Sequence, residues 1–110
     1  MGYHEYEECI EACLKCAAIC NYCASSCLKE DDVKSMSKCI QLDMECAAIC
    51  KAAADVMSLG GQYAYQLCQI CADICNSCAN ECSKHDMEHC KECAETCRQC
   101  AEECLSMAAA

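Results

Sequence analysis

Cys9, Cys13, Cys16, Cys20, Cys23 and Cys27 follow one another in alternating steps of four and three residues. Cys68, Cys71, Cys75, Cys78 and Cys82 repeat that alternation, and so do Cys90, Cys93, Cys97, Cys100 and Cys104. Cys39, Cys46 and Cys50 complete a set of 19 in 110 residues, about one residue in six. A thiolate serves as a nucleophile, a redox centre or a soft metal ligand. As mere small hydrophobes these side chains would be inferior to Ala, Val or Leu, which pack as well and do not oxidise. The count leaves two chemistries, disulfide formation and metal binding.

The rest of the chain separates them. The odd number of thiols leaves one unpaired under any complete disulfide scheme. Small disulfide-stapled domains are rich in loops, whereas this chain has three Gly and no Pro. Metal is the expectation. Side chains three or four residues apart on a helix have Cβ atoms about 5–6 Å apart. A linear S–metal–S unit with bonds of about 2.3 Å needs its sulfurs about 4.6 Å apart. The six CxxC pairs (13/16, 20/23, 68/71, 75/78, 90/93, 97/100) and eight CxxxC pairs are therefore all candidate two-coordinate clamps.

Coordination number discriminates among metals. Zinc takes four ligands in a tetrahedron, so these thiolates would hold about four ions in separated knuckles. A continuous zipper suits a soft ion content with two or three sulfurs, namely Cu(I). If each thiolate bridges two ions and each ion takes two thiolates, capacity is about 19 Cu(I) per chain. Each Cu(I) cancels one thiolate charge, which makes a loaded interior tolerable to bury. A zinc or cadmium thiolate buffer is the alternative. A CxxC dithiol redox site lacks its strand–helix unit, and an iron–sulfur run lacks both its spacing and its Pro.

Steps of three and four hold a stripe on one face of a helix, where a strand would alternate at two. Four stripes predict an all-α protein: an antiparallel up-down-up-down four-helix bundle with cysteines lining its axis. The helices are expected at about residues 4–28, 33–59, 62–83 and 87–107 of one domain, 1–110. Met36, Ala53 and Met57 continue the second stripe, and Asp43 occupies one of its positions. Asp31 or Asp32 is expected to cap the second helix, and Gly60-Gly61 to end it. Residues 16–27 (CAAICNYCASSC) and 71–82 (CADICNSCANEC) agree at 8 of 12 positions, so the chain reads as a doubled helical hairpin. Ile10, Ala12, Ala17, Ile19 and Ala24 flank the first stripe for packing. Glu7, Glu11, Lys15, Asp73, Glu92, Glu95 and Glu102 read as solvated exterior.

The net charge of −10 repels phosphate backbones and anionic lipid, which excludes nucleic acid and membrane surfaces as partners. No apolar stretch approaches the ~18–20 residues of a membrane span. The start, Met1-Gly2-Tyr3-His4-Glu5, offers neither a basic nor an apolar region of a secretory signal, so a cytoplasmic location is expected.

On the strength of these stripes, the chain resembles the bacterial four-helix-bundle copper storage proteins over essentially its whole length, in their cytosolic branch. The resemblance implies a bundle filled with Cu(I) along its axis, a homotetramer, and storage or sequestration rather than catalysis. All 19 cysteines are carried over as ligands. Asp43 interrupts the pattern locally.

Bundle topology puts the first and third connections at one end. Extending the stripes there brings Met36, His85 and Met87 to the axis, with Asp31 and His89 nearby. Thioether and imidazole are ligands for an ion in transit, so copper is expected to load at this end, delivered by a copper chaperone or a small-thiol donor. Tyr6, Met57, Tyr65 and Met107 plug the other end. His4 is expected on the surface.

Overall fold

The computed structural model describes residues 2–109. Helix α1 spans Glu7–Cys27, α2 Ser37–Leu59, α3 Ala64–Cys82 and α4 Glu88–Ala109, with a single 3-10 turn, Val33–Met36, leading into α2. There is no strand among the described residues. Each helix packs on its two neighbours around a square: α1 on α2 and α4, α3 on α2 and α4. With connections this short, successive helices run antiparallel. The bundle is a rod of 47 × 19 × 17 Å. No described helix is long and apolar enough to cross a membrane.

Helix is the natural state of a chain rich in Ala and Glu and free of Pro. The interior is made of the stripes: every cysteine is at most 2% exposed. Between them stand buried alanines, among them Ala17, Ala47, Ala72, Ala79, Ala94 and Ala101, whose small side chains let the helices approach closely. Larger apolar groups are few, chiefly Ile10, Met36, Met57 and Tyr6. The acids and lysines assigned to the exterior are exposed.

The ends differ in detail from expectation. Helix α2 begins four residues late, because Val33–Met36 wind as a 3-10 turn. Neither Asp31 nor Asp32 caps α2: Asp31 is exposed, and Asp32 precedes the 3-10 turn without a side-chain hydrogen bond. Ser35 Oγ instead donates to the Asp32 carbonyl at 2.8 Å, which fits the tighter turn. At its other end α2 closes on Gly60, whose φ of 67° and ψ of 33° lie in the left-handed region. The Gly60 and Gly61 amides return to the carbonyls of Met57 and Val56, satisfying orphan acceptors of the last turn. Gly2 folds onto this corner, and a Cβ there would sit 3.0 Å from the Ser58 carbonyl oxygen.

Candidate metal centre

The thiols form one connected sulfur lattice. On a single helix the close pairs are those four residues apart: 16/20, 23/27, 46/50, 71/75, 78/82 and 93/97 lie at 3.9–4.0 Å. None of the CxxC pairs makes a comparable contact. Residues four apart are offset by 40° around the axis and residues three apart by 60°, so the former turn into each other and the latter diverge. The shortest contacts cross between helices: Cys39–Cys82 at 3.4 Å, Cys46–Cys75 at 3.5 Å, Cys50–Cys71 and Cys20–Cys97 both at 3.6 Å. Clamps within one helix are thus only part of the arrangement.

Sets of four thiols converge with all sulfurs within 4.8 Å of one another. Cys13, Cys71, Cys100 and Cys104 form one near the α2–α3 end, and Cys23, Cys27, Cys39 and Cys90 form one near the other. Between them the sets overlap. Cys16 and Cys46 belong both to a set with Cys50 and Cys75 and to one with Cys20 and Cys97, and Cys20 and Cys97 join a third with Cys78 and Cys93. Isolated tetrahedral sites cannot share ligands in this way without bridging, whereas bridging is the ordinary habit of thiolates on a soft monovalent ion.

Asp43 stands in this lattice with no exposure. Its Oδ1 accepts S–H bonds from Cys78 at 3.1 Å, Cys93 at 3.3 Å and Cys82 at 3.5 Å, and Oδ2 one from Cys39 at 3.9 Å. Burial, followed by the charge that Cys93 would carry as a thiolate, pushes its carboxyl up to about 8. The group is therefore largely protonated at neutral pH, and it could give an oxygen to an ion held by these thiols.

The end beside the α1–α2 and α3–α4 connections is lined differently from the sequence expectation. His89 is the histidine at the sulfurs: its Nδ1 lies 3.5 Å from Cys90, 3.6 Å from Cys23 and 3.8 Å from Cys27. Its Nε2 meets Glu30 Oε2 at 2.9 Å, and Tyr22 packs edge-on against the ring at 6.5 Å. His85, expected on the axis, turns its Nε2 to Glu81 Oε2 at 3.0 Å, where Lys84 and Lys38 also approach. Residues 83–87 are not helical, so the α3 stripe cannot be extended through them. Met36 is fully buried and Met87 partly so, both against the core. His4 is exposed beside Glu7. Sequence reasoning passed over Glu30 and Glu81. The four-residue step from Glu81 to His85 could have marked the second; Glu30 reaches His89 from a connection without periodicity.

At the opposite end Met57 has no exposure, and Cys68 donates to its Sδ at 3.5 Å. Tyr6 is buried above and meets Tyr65 edge-to-face at 6.1 Å. Tyr65 is itself 39% exposed, and Met107 is partly buried. Burial, reinforced by the charge of Cys39, pushes Cys90 up to about 11, and burial likewise raises Cys27.

Fold and site together define a helical bundle whose core is a thiol reservoir for soft metal ions. The profile of the copper storage protein family matches residues 3–109, and the chain belongs to that family. A cysteine-rich protein of Bacillus subtilis strain 168, YhjQ, is 48% identical over 68 residues, 62% of this chain and 63% of its own length. The apo form of copper storage protein 3 from Bacillus subtilis is 48% identical and superposes with a TM-score of 0.88, covering 93% of this chain and 97% of its own. A cytosolic copper storage protein from Streptomyces lividans, with five coppers, is 40% identical with a TM-score of 0.93, covering 99% and 96%.

Proposed function

We propose that this chain stores copper as Cu(I) on its 19 cysteine thiolates, about one ion per thiolate, and that its reaction is ligand exchange rather than catalysis. The observation that carries this reading is the overlap of the four-thiol sets along the whole axis. An incoming ion always has a third sulfur within reach before it leaves the second, so it can advance without crossing apolar space bare.

Loading at the His89 end is supported by the imidazole Nδ1 facing three thiols, with Met36 and Met87 beside the core. His85 has a weaker part, as its ring is engaged by Glu81. A copper chaperone or small thiol is the donor in this reading. Homotetramer assembly follows the family resemblance, and a cytoplasmic location is supported by the Streptomyces relative described as cytosolic.

The test is anaerobic Cu(I) titration of the reduced protein against a chromophoric chelator. Storage requires about 19–20 equivalents withheld per chain. Saturation near four would overturn it in favour of zinc-type sites.

A further inference from the structure

Every cysteine but one exchanges an S–H···S contact of 4.0 Å or less with another thiol. The exception is Cys68, which donates to the thioether of Met57 at 3.5 Å. Cys9 and Cys104, themselves 3.8 Å apart, are the neighbouring thiols that complete its sulfur surroundings. Met57 is fully buried under the plug, out of reach of any ion in solution.

We propose that Met57 is a copper ligand: its Sδ terminates the lattice at the closed end and, with the Cys68 thiolate and Cys9 or Cys104, holds the last Cu(I). The inference rests on the storage reading and adds to it a ligand that is not a cysteine. A chain of thiolates joined by two-coordinate ions has one more sulfur than copper, and so ends with a net negative charge in a buried place. One further Cu(I) on the terminal thiolate removes that charge, provided that a neutral donor completes its coordination. Thioether is the neutral donor a soft monovalent ion accepts. Cu(I) enters, Cys68 loses its proton to solvent through the lattice, and Met57 contributes a lone pair with no proton to release. A three-coordinate ion with bonds of about 2.3 Å sets its sulfurs about 4 Å apart, so the observed pair must open only slightly, which the flexible Met side chain permits.

The alternative role, apolar filler, would be served equally by Leu, and this sets the experiment. The full chain, with 13C-labelled methionine methyls assigned by through-bond correlation, is titrated anaerobically with Cu(I), and Met57→Leu is titrated beside it. The Met57 methyl resonance is expected to move only in the last equivalents, and Met57→Leu to withhold about one Cu(I) fewer per chain. A Met57 methyl unmoved at saturation, or full capacity in Met57→Leu, overturns the inference while leaving storage intact. Saturation of the parent chain near four equivalents overturns both. The methyl titration of the parent decides the matter even if the variant does not fold.

Discussion

His89 and Glu30 are joined at 2.9 Å between Nε2 and Oε2, across the gap from the start of α4 to the connection that follows α1. A carboxylate only accepts, so Nε2 carries the proton and the Nδ1 lone pair is left facing Cys23, Cys27 and Cys90. The same carboxylate fixes the orientation of the ring, as it does for metal-bound histidines generally. His89→Ala is therefore expected to slow Cu(I) uptake several-fold in stopped-flow mixing, with capacity within one or two equivalents of the parent. Glu30→Ala should slow it by less, through loss of ring orientation, and His85→Ala least of all. Equal rates in the parent and His89→Ala would refute loading at this end.

What could be read from the sequence was what repeats. The stripes need only the three-and-four step, and all four helices with their inward cysteines follow from it, Asp43 included. What does not repeat was hidden. The phase of a stripe carries no meaning beyond the last helical residue, so it points to His85 at the axis and leaves His89, one residue before Cys90, beside it, although His89 is the ring that reaches the sulfurs. Spacing alone also treated CxxC and CxxxC as equivalent, although the helical offset brings only the latter together. Glu30 found its partner 59 positions away, through the closing of the bundle.

Asp43 makes the empty bundle sensitive to pH. Its carboxyl is raised from the usual carboxylate range to about 8 in the folded protein, chiefly by burial. Below about pH 4 both folded and unfolded chains hold the proton, and there is no effect. Between about 4 and 8 the unfolded chain has lost it and the folded chain keeps it, so stability falls as pH rises, to a deficit on the order of a few kcal/mol above 8. Asp43→Asn keeps an acceptor for the thiols without this deficit. Its gain in apo melting temperature, measured anaerobically, should be larger at pH 8 than at pH 5; the same gain at both would contradict the assignment.

Proton release should accompany filling. With Cys90 raised to about 11 and Cys27 raised in the same direction, both largely by burial, these thiols are neutral at pH 7. Each Cu(I) taken up there displaces a proton, so affinity weakens about tenfold for each pH unit lowered per proton displaced. A pH indicator in weak buffer should record about one proton per copper. A ratio near zero would mean that the empty bundle already holds thiolates.

Copper should also replace the missing apolar core. Ile10 is one of the few large aliphatic side chains fully inside, at 3% exposure. Its truncation to Ala is expected to cost the empty bundle about 2–5 kcal/mol, a large share of what a domain of this size possesses. Loading ties all four helices through sulfur–metal bonds that the unfolded chain cannot reproduce as a set, and a ligand favouring the folded state stabilises it by mass action. Thermal melts of the parent and Ile10→Ala, empty and loaded, should therefore show a wide gap when empty and a narrow one when loaded. A gap of the same size in both states would mean that the metal adds nothing to the cohesion of the core, and that Ile10 and its few apolar neighbours carry the bundle alone.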